Sequence, residues 1–405
     1  MTPRDRILNA IDFKPTDRVP LDLAGMRSTG ISCFAYPKLV KALGLPPRRP
    51  RIYDNGQMLA LPDIDVLDAL GCDCVLVEEG VTNAFPQPEK WHDYDFNGRL
   101  EAKVYHPAAY TVEPDGTIVI NGGARMPPAS TVFTGDHAGC HVDLSQDVPP
   151  PDVVGHSKWC ETQQIDRERT VAIADFCHRV RDAAKDRAVF AAISPIQSGI
   201  GISMGVKPVQ CVLYPEETLA CHNAHADRCI HNMEILLPLI KDDVDILMIS
   251  ADDWGTQTSL VASPDVYRNL FKPAYQRINA VARRLAPNAR MFLHTCGAVY
   301  PLIEEFAASG FHIMNPVQWC AGGQTPAQWK AAAHGKIALW GGGVNSQHTL
   351  PLKGVEEVRA EVRRVVPELA KGGGFIFANI HNILAEVAGE KVVAMYEEAR
   401  KIRPA

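Results

Sequence analysis

No stretch of this 405-residue chain approaches the roughly 18 consecutive apolar residues that a membrane-spanning helix needs. Even the aliphatic run from Ile235 to Ile240 stops at Lys241-Asp242-Asp243, so no membrane span is expected. Clusters of lysine and arginine are missing too. With 41 basic against 47 acidic side chains and a formal net charge of −6, the chain offers no dedicated nucleic-acid surface, which would need grouped cations. The amino terminus, Met1-Thr2-Pro3-Arg4-Asp5-Arg6, is polar, runs into an amphipathic helix and lacks the features of a secretory signal. Eleven cysteines, an odd number scattered without such a signal, read as reduced thiols of a cytoplasmic protein rather than a disulfide framework. Walker and dinucleotide glycine fingerprints are absent, which leaves a nucleotide cofactor unsupported.

Apolar residues, by contrast, make up 46% of the chain, enough for a large core. Short β-branched runs alternate with longer helical stretches, the pattern of βα units around a parallel sheet. Eight such runs fall at residues 19–24, 74–79, 189–194, 246–250, 291–295, 312–316, 337–341 and 375–379. Most lack polar alternation, as strands covered on both faces do. Helices are expected at 36–43, 167–185, 216–237, 264–285, 300–308, 326–333, 355–369 and 389–401. Ser263-Pro264 is a readable helix start, with serine as cap and proline in the first turn. Eight strand–helix pairs predict one α/β domain over 1–405, a (β/α)8 TIM-type barrel, with a doubly wound open sheet as the alternative. A β-rich insertion is expected over 85–148, after the second strand, with strand signals at 100–105, 110–112 and 117–120 and a turn at Asp115-Gly116. Pro149-Pro150-Pro151 reads as its stiff return linker. Loops after barrel strands sit on the catalytic face, so this insertion would wall the substrate pocket.

The pentapeptide Leu293-His294-Thr295-Cys296-Gly297 ends the fifth run. Side chains alternate along a strand, so His294 and Cys296 face one side. Imidazole nitrogen and thiolate sulfur together make half of a preferred zinc shell. Residues just after barrel strands converge on one mouth. There the eighth strand delivers His381, the sixth Asn315, Gln318 and Cys320, and the fourth Asp252 and Asp253, with Trp254 next in line. A catalytic zinc needs three protein ligands and an open position. His381 is the expected third ligand, with Cys320 ranked behind it. Asp252 and Asp253 are neighbours and cannot both enter the mouth. Asp252 is the choice for a general acid or for a partner of a ligating histidine, and Asp253 for a turn cap.

Other charged residues stand in or beside the first two apolar runs: Asp22, Arg27, Asp73 and Glu78. Ion pairing or contact with a substrate explains such placement. Arg27, Glu78, Trp254, Asn315 and Gln318 are the substrate-binding candidates. Gly341-Gly342-Gly343 follows the seventh strand, where backbone N–H groups can cradle a phosphate. Gly372-Gly373-Gly374 follows a helix and reads as its C-terminal turn.

These segments resemble the uroporphyrinogen decarboxylase superfamily and, within it, the zinc-dependent methyltransferases that work with a corrinoid. The resemblance rests on Asp17-Arg18-Val19-Pro20-Leu21-Asp22-Leu23, Ser263-Pro264 to Lys272-Pro273, His294-Thr295-Cys296-Gly297, Asn315-Pro316-Val317-Gln318, and Gly372-Gly373-Gly374-Phe375-Ile376 to His381-Asn382. It is weakest in the insertion. It implies that His294, Cys296 and His381 hold zinc. The spacing is also similar to the zinc site of cobalamin-independent methionine synthase, whose last ligand is a cysteine where this chain has His381. True uroporphyrinogen decarboxylases carry an arginine-rich segment after the first strand, whereas Gly25-Met26-Arg27-Ser28-Thr29-Gly30 supplies only Arg27.

The resemblance therefore implies a methyltransferase that moves a methyl group between a small methylated donor, or a thiol, and a corrinoid. An aryl methyl ether is one such donor, with Trp91, Tyr94 and Trp254 available to enclose it. The chain lacks the Asp-x-His-x-x-Gly corrinoid signature, so the corrinoid is expected on a separate partner protein. A homodimer is allowed. The alternatives are a uroporphyrinogen decarboxylase-like carboxy-lyase and a non-catalytic zinc-stabilised barrel. The latter calls for a closed shell of His294, Cys296, Cys320 and His381.

Overall fold

Seven parallel strands lie side by side in chain order in the computed structural model, which describes residues 1–79, 88–134, 147–202 and 205–404. They are β1 (Cys74–Glu79), β2 (Ala188–Ile193), β3 (Ile246–Ala251), β4 (Arg290–His294), β5 (Ile313–Asn315), β6 (Ala338–Trp340) and β7 (Phe375–Ile376). All seven correspond to expected runs, from the second to the eighth. The first run, 19–24, forms no strand. Leu21 makes a single parallel bridge to Phe377, beyond β7, and its carbonyl accepts the Asp73 N–H, next to β1. This segment thus lies between the two end strands, and the curled sheet is consistent with a TIM-like barrel. Pro20 has no N–H to give to a ladder, and the Leu21 N–H is taken by the Asp73 carboxylate at 2.8 Å.

Alternation along the strands sorts side chains between two layers. Phe190, Phe292 and Trp340 point into the sheet's concave interior, where Phe190 and Phe292 meet edge to face at 4.7 Å between centroids. Val189, Ala191, Met291 and Leu293 belong to the other layer, against the helices. Those helices include Tyr36–Ala42, Arg167–Ala184, Pro215–Ile240, Lys272–Leu285, Val355–Ala370 and Gly389–Arg400, close to the expected spans. Among the described residues, no helix is long and apolar enough to cross a membrane. Gly372, Gly373 and Gly374 all take left-handed φ values directly after Val355–Ala370, the turn the sequence indicates.

Antiparallel strands occupy part of the stretch 85–148, of which 85–87 and 135–146 lie outside the described residues. Tyr110–Val112, Ile118–Ile120 and Ala124–Met126 form a three-stranded meander, turning at Asp115-Gly116. The pair His92–Asp95 and Glu101–Val104 instead joins a five-stranded sheet with Ile31–Ser32, Leu59–Leu61 and Arg51–Asp54. Those last three strands were not legible. They are two to four residues long, too short to display a period.

The buried ion pairing expected at Asp73 holds the end-strand seam together. Arg6 Nη1 donates to Asp73 at 2.5 Å, and Arg18 donates to both of its carboxylate oxygens at 2.8 and 2.9 Å. Asp73→Ala strips two guanidinium groups and the Leu21 N–H of one shared acceptor. The expected loss is about 3–5 kcal/mol of unfolding free energy, read by urea denaturation, with a smaller loss for Asp73→Asn.

Candidate metal and substrate site at the barrel mouth

Beyond β4 the chain turns so tightly that only glycine fits. Gly297 has φ of +91°, and a Cβ there would lie 2.2 Å from the Gly255 carbonyl group. A Cβ on Gly255 would in turn lie 2.4 Å from the Ala298 nitrogen. The loops after β3 and β4 therefore touch backbone to backbone. Thr295 donates its N–H to the Asn315 carbonyl at 2.6 Å and accepts the Trp254 N–H on Oγ1 at 3.1 Å. Gly297 gives its N–H to Gln318 Oε1 at 2.8 Å.

On this turn His294 continues the inward parity of Phe292, and Cys296 follows two residues on. Donor atoms of His294, Cys296 and His381 all lie within 4.8 Å of one another. Cys296 Sγ is 3.4 Å from His294 Nε2. The tautomer of His294 follows from its surroundings. Asn315 Nδ2 donates to the Trp340 carbonyl at 3.0 Å, which turns Asn315 Oδ1 toward His294 Nδ1 at 2.7 Å. A carbonyl oxygen only accepts, so Nδ1 carries a proton, and it is the neutral tautomer with its Nε2 lone pair toward the cluster that this arrangement selects. Ser28 Oγ donates to the same Asn315 oxygen at 2.8 Å. Burial, assisted by nearby His294, pulls the His381 imidazole down to about 4 and keeps it neutral at pH 7. Burial and the neighbouring Asp253 carboxylate push the Cys296 thiol well up. Two imidazoles beside a buried thiol are a donor set that suits a bound cation, which would favour the thiolate.

Asp253, rather than Asp252, faces this cluster. Its Oδ1 accepts the Cys296 N–H at 2.9 Å and lies 3.6 Å from His294 Nε2. Asp252 turns away, with Oδ2 accepting the Ile202 N–H at 2.7 Å. The cause is a register shift in β3. Met248 pairs with Phe292, but Ser250 pairs with Leu293, so an extra residue at Ile249 moves every later side chain to the opposite face.

Other expected contacts fall into place or fall away. Asn315 is buried and orients His294, and Gln318 braces the glycine turn. Trp254 is buried between the rings of Tyr267 and Phe271, at 5.0 and 4.6 Å between centroids, and is part of the core. Tyr94 packs on Phe96 and Tyr110 in the second sheet. Cys320 is not a member of the donor cluster. Gly341 and Gly343 already donate their N–H groups to the Ile376 and Ala378 carbonyls at 2.9 and 2.8 Å. That triplet therefore does not offer the free cradle expected for a phosphate.

Arg27 and Glu78 do meet at the mouth. They line a cavity of about 290 Å3 together with His294, His381, Gln57 and Met248. A second cavity of about 810 Å3 shares Arg27 and Gln57 with it and leads past Phe133 and Leu384. Arg27 pairs with Glu78 and, at 3.2 Å, with Asp54. Two carboxylates thus share one guanidinium. Burial, the larger effect, together with Asp54 raises Glu78 to about 7 against the pull of Arg27. Ser28, Asp54 and Gln57, which the structure brings to the mouth, were missed because nothing in their local sequence marks them, and Asp253 was read only as a turn cap. Only the Ser28 position, next to Arg27, carried a hint.

Residues 209–402 match the uroporphyrinogen decarboxylase (URO-D) family. Among solved structures, the chain is similar to a methyltransferase from Methanosarcina mazei, at 16% identity, with 99% of each chain covered and a TM-score of 0.55. That likeness establishes a shared fold. Native xylanase 10B from Thermotoga maritima superposes more loosely, at 12% identity over 56% of this chain and 79% of the xylanase, with a TM-score of 0.32. No curated protein matches the sequence.

Glu78 gives a pH test with a definite sign. Its folded value near 7 exceeds the ordinary 4.5, so the folded state holds a proton that the unfolded chain has already released. Stability should fall as pH rises from about 4.5 to about 7 and level off above that. Urea midpoints of wild type and Glu78→Gln measured across this window should show the variant gaining on wild type. Parallel curves would refute the raised value.

Proposed function

We propose that this protein is a zinc-dependent methyltransferase. It moves a methyl group between a small methylated donor, such as an aryl methyl ether, or a thiol, and a corrinoid carried by a separate protein. The observation that carries the reading is the His294–Cys296–His381 cluster, whose two histidines line a cavity that also holds Arg27 and Glu78. The reading extends to this chain the activity named for the Methanosarcina mazei protein of similar fold. Cys320 stands outside the donor group. Three protein ligands with a fourth position open favour catalysis over a closed structural site.

These three side chains would hold zinc, whose Lewis acidity would polarise the oxygen or sulfur of a bound substrate. The remaining work falls to the chain itself. Asn315 fixes the His294 tautomer. Met248 gives the cavity an apolar wall for the methyl group. Glu78 holds a proton near neutral pH. On transfer of the methyl group to the corrinoid acceptor, the donor's oxygen would keep the electrons of the broken carbon–oxygen bond and take that proton from Glu78. In the reverse direction Glu78 recovers it. Asp54 stays beside Arg27 at 3.2 Å.

Metal analysis of the purified protein tests the ligands. Cys296→Ser and His381→Ala should each lose one zinc equivalent, Cys320→Ala none. Asn315→Ala should weaken zinc binding by about 10–100-fold through the freed imidazole. Retention of full zinc by both Cys296→Ser and His381→Ala would remove the site.

Methyl transfer is read by mixing the enzyme with cob(I)alamin and a panel of aryl methyl ethers, methylated amines and methylated thiols. Absorbance should report methylcob(III)alamin, with a rate that falls as pH rises through about 7. That limb should be lost in Glu78→Gln. Failure across the whole panel would sink the proposal.

A further inference from the structure

A second group of soft donors lies in the helical layer. Helix Val153–Thr162 carries His156 and Cys160 four residues apart, on one face. Helix Pro215–Ile240 packs against it and contributes His225. Ligand atoms of these three side chains lie within 4.8 Å of one another. The two imidazoles meet at 4.5 Å between centroids, and Cys160 and His225 are only 3% and 8% exposed.

Two packed helices ordinarily close their contact with apolar side chains or with polar ones that bond each other. Here His156 Nε2 and His225 Nδ1 are buried atoms with no hydrogen-bond partner among the described residues. Beside the group a cavity of about 400 Å3 is lined by Asp152, His156, Trp159, Lys207, Gln210 and Cys221. A largely buried two-imidazole, one-thiol constellation, with His156 reaching the wall of that cavity, has the donor set of a borderline-soft divalent cation.

We propose that His156, Cys160 and His225 form a second metal site, which binds zinc or a cation of like chemistry and ties the two helices together. Binding releases the Cys160 proton to solvent and leaves one coordination position facing the cavity. This site shares no residue with the barrel mouth. It stands or falls independently of the proposed methyl transfer.

The full-length protein, stripped with a chelator and titrated with Co2+, distinguishes the two sites. Wild type should bind two equivalents, with thiolate-to-cobalt absorption from each. Cys160→Ser and His225→Gln should each bind one, as should Cys296→Ser, and Cys160→Ser/Cys296→Ser should lose the thiolate absorption altogether. Circular dichroism checks that each variant is folded.

Trp159 lies 5.9 Å from His156 and 5.7 Å from His225 between ring centroids, which supplies a readout that does not depend on altering a ligand. In the Cys296→Ser background, Co2+ should quench a tryptophan emission that Trp159→Phe removes. A folded Cys296→Ser protein that binds no Co2+, or one whose Trp159 emission ignores the metal, overturns the second site. Unchanged stoichiometry in Cys296→Ser, with one equivalent lost in Cys160→Ser, would support it while removing the first.

Discussion

Asn315 is buried and has one carbonyl, that of Trp340, for its amide nitrogen. Satisfying that donor turns the side-chain oxygen onto His294 Nδ1, and the imidazole is left with its second nitrogen bare toward Cys296 and His381. A backbone group on β6 thereby decides the tautomer of a residue on β4 by way of one on β5. This works because neighbouring parallel strands end at the same level. The coordination chemistry proposed for the mouth depends on this relay, since an imidazole protonated on the wrong nitrogen offers no lone pair to an ion.

On the opposite wall, electrostatics rather than donor geometry governs. Glu78 and Asp54 compete for the Arg27 guanidinium, and burial lets Glu78 keep a proton to within reach of neutral pH. The cavity is thus lined by a wall of imidazoles and by a charged wall with one exchangeable proton. Between them sits apolar surface from Met248. That division suits a reaction in which a carbon changes partners and a heteroatom must be both polarised and reprotonated.

The parallel strands were legible because burial on both faces leaves long runs of apolar, β-branched residues, and their ends placed His294, Cys296 and His381 together. Three things resisted. The run at 19–24 looks like a strand, yet Pro20 and the Asp73 side chain replace its ladder with a single bridge. The extra residue in β3 exchanged the roles of Asp252 and Asp253, and a bulge of that kind has no signature in composition. The short strands at 51–54 and 59–61 brought Asp54 and Gln57 to the mouth through tertiary packing alone. Trp254 was misread for a general reason, since an aromatic beside a functional loop is more often an anchor for that loop than a contact for its ligand.

The backbone contact between Gly255 and Gly297 makes one body of two loops that the chain order separates. Asp253 and Cys296 stand on that body, so neither can be displaced without carrying the other. Lineages or designers seeking a wider range of substrates gain little by remodelling this corner. Room for variation lies across the cavity, around Gln57, Phe133 and Leu384, where side chains rather than main chain form the wall.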